Sequence, residues 1–172
     1  MDIFEAIEKR YSHKERFLQD AVPIEDLEKI AKAGLAAPTG NNTQNVKVVI
    51  FPDRDALEPI CGIVSTDGTK TAPAAIGVLT DSNMRGDTPD FDMENYAAAT
   101  ENILLAVTAL GYAGLWLDYP FFADDVQEKI LKILKAPPGL RFHVLIPIGK
   151  PDGEGTRRSK LPYKERLFYR SF

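Results

Sequence analysis

Three short stretches of the chain hold side chains able to bind a charged or heterocyclic ligand. Residues 9–17, KRYSHKERF, place Arg10, Ser12 and Lys14 at alternate positions. In an extended segment, alternate side chains project to one side. A guanidinium fork, a hydroxyl and an ammonium aligned in this way can hold a phosphate or another anion. The same residues also fit a solvated helix end, with cations near its negative dipole. Residues 37–45, APTGNNTQN, gather Thr39, Asn41, Asn42 and Gln44. Amides can match the hydrogen-bond pattern of a heterocycle's edge, while the run also reads as a Pro/Gly/Asn turn leading into a strand. Residues 157–162, RRSKLP, set Arg158 and Lys160 on either side of Ser159. These form either a second anion-holding pair or a basic tail.

Several other chemistries are missing. The two histidines, His13 and His143, lie far apart, and there is one cysteine, Cys61, and no HExxH. A structural or hydrolytic zinc site is therefore not expected. No GxSxG or Walker A sequence occurs. GEGTRR at 153–158 lacks the third glycine of a dinucleotide fingerprint and follows no strand directly. A lone cysteine cannot close a disulfide within the chain, so a reducing, cytoplasmic home is expected. The opening MDIFEAIEKRY carries Asp2 and Glu5 where a secretory signal would be basic and then apolar, so no targeting segment is expected. The longest apolar runs, VKVVIF and VLIPIG, fall far below the roughly 20 residues that span a bilayer, and no membrane partner is expected. With 25 acidic residues against 21 basic ones, the net charge is −4. Such a chain is a poor general binder of nucleic acid, whose nonspecific affinity comes from cations neutralising phosphates.

The 172 residues, 44% hydrophobic and 27% charged, suit one globular domain spanning 1–172. Periodicity predicts helices over 2–10 (Ile3, Phe4 and Ile7 on one face, Asp2 as N-cap), from Pro23 to the AAPTGNN break, over 55–63, 93–110 and 123–135. Strands are predicted at 46–51, 74–80, 113–117 and 143–149, with a polar loop over 81–92. The near-continuous apolar run of the second strand indicates burial on both faces. The wide stripe of the 93–110 helix, from Tyr96 through Ile103, Leu104 and Val107 to Leu110, indicates a helix buried on most sides. Helices and strands mix without regular alternation, which predicts an α+β sandwich around a central mixed, largely antiparallel sheet. The last 23 residues, 150–172, form a basic and aromatic tail.

Taken in order, these stretches resemble the FMN-dependent nitroreductase family, in its short single-domain branch. The resemblance rests on a helix followed by Arg10-Tyr11-Ser12-His13-Lys14, then Pro38-Thr39-Gly40-Asn41-Asn42-Thr43-Gln44. An alanine-rich helix running into ENILLAVTALGYAGLWLDYP comes next, and then Gly149-Lys150-Pro151 with Arg158-Ser159-Lys160. It covers nearly the whole chain, at compatible spacing. It implies an intertwined homodimer binding FMN at the subunit interface. Arg10, Arg158 and Lys160 would hold the FMN phosphate, with Ser12 helping, and Lys14 would sit near the pyrimidine edge of the ring. Tyr11 would contribute through its backbone. Pro38, Thr39, Gly40 and Asn42 would reach the flavin from the partner subunit, with Gln44 supporting that loop. Trp116, Leu117 and Asp118, with Tyr119, would pass one face of the ring and offer a backbone N–H near flavin N5.

The activity the resemblance implies is ping-pong hydride transfer. NADH or NADPH would reduce the flavin, and a small acceptor such as a nitroaromatic or quinone would reoxidise it. Neither step asks for a catalytic side chain, because the cofactor carries the chemistry. A flavin carrier or sensor on the same fold is the alternative. The helix 93–110 and the tail aromatics Tyr163, Phe168, Tyr169 and Phe172 would lie against the partner. Two departures stand out. Many relatives continue the second motif as Q-P-W, whereas this chain reads Gln44-Asn45-Val46, so the turn into the strand is expected to differ. Asp118 and Tyr119 add an acid and a bulky phenol close to the ring, where glycine is frequent at the second position.

Overall fold

The computed structural model describes residues 1–84, 86–87 and 89–170; Phe172, expected against the partner, lies outside them. Helix α1, Ile3–Lys9, starts at a reciprocal cap in which Asp2 accepts from the Glu5 N–H at 2.9 Å and Glu5 accepts from the Asp2 N–H at 3.2 Å. Only Ala6 of α1 is buried. Ile3, Phe4 and Ile7 face solvent, Phe4 with 78% of its surface exposed.

The remaining elements follow as α2, Ile24–Leu35; β1, Val46–Phe51; α3, Arg54–Cys61; α4, Asp67–Thr71; β2, Ala74–Asp81; α5, Asp92–Ala109; β3, Ala113–Gly114; α6, Asp124–Ile133; and β4, Leu140–Gly149. Helix α4 is absent from the sequence-based expectation. Its DGTKT has no apolar period, and it is nucleated by a cap in which Thr66 accepts from the Thr69 N–H at 3.1 Å and Thr69 accepts from the Thr66 N–H at 2.8 Å. Short 3-10 turns occupy 40–42, 82–84, 119–122 and 163–165.

The four strands form one sheet in the order β1-β2-β4-β3, with every neighbouring pair antiparallel. Among the described residues the parallel pairing is a single bridge, Ser12 to Gly114, on the outer edge of β3. The alternation of β2 divides the core. Ala74, Ile76 and Val78 join a layer with Leu27 and Ile30 of α2 and Ala99, Ile103 and Val107 of α5. Ala75 and Leu79 join the opposite layer with Leu57 and Ile60 of α3, Phe121 of the 119–122 turn and Ile130 of α6. Helices therefore cover both faces, as the α+β sandwich requires. Gly34 of α2 lets that helix lie close on α5, because a Cβ there would stand 2.6 Å from Ile103 Cγ1.

Two local expectations change. Strand 113–117 is regular only over Ala113–Gly114, although Leu117 still exchanges both backbone hydrogen bonds with Leu145, at 3.1 and 2.9 Å. The register of β3 on β4 sets residue 115 opposite Pro147. Proline has no N–H to give on that side, so the ladder is interrupted there. Leu110, counted in the buried stripe, is exposed at the end of α5, and the buried polar Asn95 takes a place on the inner face instead.

Candidate functional site

The segment after α1 cannot continue as helix, because Arg10 turns to extended backbone. It runs instead along two edges. The His13 N–H donates to the Gly114 carbonyl at 3.0 Å, and Ser12 bridges the same glycine. Further on, Phe17 pairs with Pro151, the Leu18 N–H donates to Lys150, and the Asp152 N–H donates to Arg16, the last two at 2.9 Å. This strand-like course brings the first basic stretch beside both β3 and the start of the tail.

The tail is held there by side chains. The Arg157 guanidinium lies 4.8 Å from the centre of the Tyr11 ring. Glu15 accepts the Thr156 N–H at 3.3 Å and the Lys14 N–H at 3.0 Å. Its own backbone N–H and that of Thr156 hold the Glu15 carboxyl below the usual glutamate range. Burial raises the Tyr11 phenol, against the pull of Arg157. Gly155 packs on this ring. A Cβ at 155 would run into Tyr11 and stand 3.0 Å from His13 Nδ1, so the glycine is required by close approach. The fully buried His13 supports the bend, its Nε2 at 2.8 Å from the Arg16 carbonyl.

The first and third stretches thus meet, with Tyr11 serving as a side-chain platform as well as a backbone. Arg10 is paired to Glu101 of α5 at 3.3 Å, but a guanidinium has further donors to offer. Lys14, Arg158 and Lys160 are exposed and take part in no ion pair among the described residues. These three cations and the Ser12 hydroxyl, carried on the two stretches that meet at this rim, make no side-chain hydrogen bond among the described residues, and their chemistry as donors fits a phosphate ester.

The segment leading away from β3 borders the same rim. The Trp116 indole N–H donates to Asp118 at 3.0 Å, and Leu117 is fixed by its two bonds to Leu145. The acid at 118 is therefore engaged by the indole. Tyr96 of α5 has its phenol raised by burial and then by the Asp118 charge. Tyr119 is exposed, edge-on to Phe122 at 6.2 Å between ring centres.

The second stretch is held elsewhere. Gly40 donates its N–H to Asn95 of α5 at 2.7 Å and lies against Phe91, where any Cβ would collide with the ring. Asn41, Asn42 and Gln44 all have positive φ, between 51° and 53°. Asparagine tolerates this left-handed conformation better than glutamine. The Gln44 N–H is compensated by the Thr39 hydroxyl at 3.0 Å, which ties the two ends of the loop together. Thr39 and Gln44, with Gly34, Leu35, Ala37 and Val46, line a cavity of about 110 Å³. Small-molecule pockets are typically about 300 Å³ or more, so this cavity alone is too small for a tricyclic ring. A larger cleft of about 360 Å³ lies among Asp90, Asp92, Asp124 and Arg141, an acidic lining unsuited to a phosphate.

Residues missed by sequence reasoning are the ones that hold the site together. They are Glu15, Gly155, Thr156 and Arg157 at the rim, and Asn45, Asp92, Asn95, Thr80 and His143 behind the loop. The available signal was a polar residue, Asn45, directly ahead of an apolar strand.

The fold and the rim together define a helix-covered antiparallel sandwich with a cation-bearing edge where its first loop meets its tail. Comparison with known proteins narrows this class. The Nitroreductase family profile matches residues 7–87. A protein of Methanothermobacter thermautotrophicus, provisionally named NADH dehydrogenase/NAD(P)H nitroreductase, is 31% identical over 160 residues, 91% of this chain and 82% of the relative. A protein of Archaeoglobus fulgidus with the same provisional name is 31% identical over 132 residues, 76% of this chain and 75% of its own length. Among solved structures, a nitroreductase from Desulfovibrio desulfuricans in complex with FMN superposes with a TM-score of 0.84 at 26% identity, covering 100% of this chain and 98% of the other. The chain belongs to the nitroreductase family, and it is an oxidoreductase. Among the described residues, no helix is long and apolar enough to cross a membrane.

Proposed function

We propose that the protein is an FMN-dependent oxidoreductase that moves a hydride from NADH or NADPH to a small acceptor, a nitroaromatic or quinone, by a ping-pong mechanism in the cytoplasm. The observation that carries this reading is the meeting of the first basic stretch with the tail through the Tyr11–Arg157 and Glu15–Thr156 contacts. Lys14, Arg158 and Lys160, carried on these two stretches with Ser12, have no ion pair among the described residues. FMN, when bound, supplies the two-electron chemistry at its N5 position. The chain's part is to hold and orient. Arg158, Lys160 and Arg10 take the phosphate with Ser12, while Lys14 offers positive charge to the pyrimidine edge, where reduction leaves negative charge. The backbone of 116–118 lies along one ring face. The phosphate end would sit in water-exposed surroundings, and its affinity would fall with salt.

A homodimer belongs to the same reading. Loop 38–44 is anchored at the N-terminal turn of α5 and would complete the partner's site. The chain would be one domain, with residues 150–172 laid across the second subunit. The exposure of Tyr163 and Tyr169, at 80% and 83%, and of Leu161 and Leu167, supports this, as does the exposed apolar face of α1. The deciding experiment is an absorption spectrum of the pure protein before and after anaerobic NADH and NADPH. A flavin spectrum bleached by either donor is expected. Bound flavin that neither donor reduces would make the protein a carrier or sensor. A colourless protein with no affinity for FMN would refute the reading.

A further inference from the structure

The Gln44-Asn45-Val46 departure leads to an arrangement behind the loop. Asn45 is fully buried, and Asp92 is the hub of its contacts. One Asp92 oxygen accepts the Asn45 amide N–H at 2.7 Å, and the other accepts the Thr80 hydroxyl at 2.9 Å. Because the Asn45 NH₂ is turned to the carboxylate, its carbonyl oxygen faces Asn95, accepting that amide at 2.9 Å. Asn95 then has only its own oxygen for the Gly40 N–H, at 2.7 Å. One polarity runs from the Asp92 carboxylate to the backbone of Gly40.

On the other side, Thr80 has a single proton. A carboxylate can only accept, so that proton goes to Asp92, and the Thr80 oxygen must accept from His143 Nε2, 2.8 Å away. This fixes His143 as the Nε2–H tautomer. The histidine reaches Thr80 because it is an inserted residue. Val78 pairs with Val144 and Leu79 with Phe142, so His143 has no partner on β2 and bulges out of the ladder. Its ring stacks on Tyr96, with centres 4.2 Å apart and planes 12° from parallel.

We propose that Asn45, Asp92, Thr80 and the bulged His143 form a directional hydrogen-bond clamp that positions loop 39–44 for the ligand. The functional half of this rests on the flavin reading above. The loop needs such a clamp. Three consecutive left-handed residues other than glycine would be costly, and even the observed three within four positions relax unless the surroundings over-determine them.

The test uses the whole 172-residue chain and three variants, with FMN as the probe. In wild type, nitrogen-15 NMR of the histidines, assigned with His143→Gln, should find His143 protonated at Nε2. In Asp92→Asn, the Gly40 N–H still demands the same amide order through Asn95 and Asn45, so the new NH₂ must face Thr80. The threonine hydroxyl then turns to donate to His143, whose proton should move to Nδ1. A structural role without directionality would not switch this tautomer. In Asn45→Ala, amide exchange should quicken at least tenfold in 39–44 while β2 and β4 stay protected, and the FMN dissociation constant should rise about tenfold.

A wild-type His143 protonated at Nδ1, or an unswitched tautomer in Asp92→Asn, overturns the directional clamp. Unchanged loop exchange in Asn45→Ala overturns it as well. If the loop loosens but FMN binds as before, the clamp does not position the ligand. If wild type binds no FMN, the flavin reading fails, and loop exchange and the tautomer alone decide the clamp.

Discussion

Replacing Arg158 and Lys160 together by alanine separates phosphate recognition from everything else the rim does. Both side chains are exposed and form no ion pair among the described residues, so their removal strands no buried partner. Substitutions of that kind usually change stability by less than about 0.5 kcal/mol. Arg10 would be a poorer probe, because its loss also releases Glu101. A charge-assisted hydrogen bond is worth about 1.5–3 kcal/mol when shielded, and exposed positions discount this to about 1 kcal/mol each. Two such contacts sum to about 2 kcal/mol, a rise of about 30-fold in the FMN dissociation constant.

Riboflavin, which has no phosphate, should lose nothing. Trp116 is the only tryptophan and belongs to the segment assigned to the ring face, so quenching of its fluorescence reports both ligands. The wild-type preference for FMN over riboflavin should also shrink at high salt, whereas the variant should be nearly indifferent to it. Equal FMN affinity in wild type and variant would refute the phosphate assignment. An equal loss for both flavins would move these cations from the phosphate to the ring.

The other expectations concern the frame behind the site. Burial, reinforced by Arg141, lowers the His143 pKa from 6.5 to about 4. The folded state keeps the ring neutral while the unfolded chain takes up a proton, so this stabilisation is complete above pH 6.5 and falls as pH drops toward 4, by about 1.4 kcal/mol per unit. His143→Gln retains an N–H for Thr80 without titrating, and urea titrations should show a shallower acid slope; parallel slopes would contradict the burial effect. Gly77→Ala places a methyl 2.7 Å from Val49 Cγ1 and 2.6 Å from the Phe142 ring. Overpacking of this kind costs about 1–3 kcal/mol, so the melting temperature should fall by several degrees; an unchanged melt would mean the ring swings aside freely. The Gln127 amide serves the carbonyls of Phe121 and Phe142 and the Phe142 N–H, the last at 3.0 Å. Gln127→Met should orphan these buried groups and cost about 3 kcal/mol in chemical denaturation, and a loss under 1 kcal/mol would show that water replaces the amide.

Local order accounts for much of what could be read in the chain. Apolar period and caps mark α1, α2, α5, α6 and the strands to within a few residues, because each pattern is satisfied inside its own segment. The charged stretches at Arg10–Lys14 and Arg158–Lys160 were legible for the same reason, since residue type and alternation are properties of sequence alone. The tertiary structure decided what is set by partners distant in the chain. Pro147 cuts β3 short from the neighbouring strand. The pairing of β2 with β4 turns His143 into a bulge and aims it at Thr80, while Asn45 finds Asp92, 47 residues away. Tyr11 and Glu15 gain a role only because the tail returns beside them, with Thr156 lying 141 positions from Glu15. A hydrogen bond or a ring contact between residues so far apart leaves no period in either segment, so only the folded chain contains it.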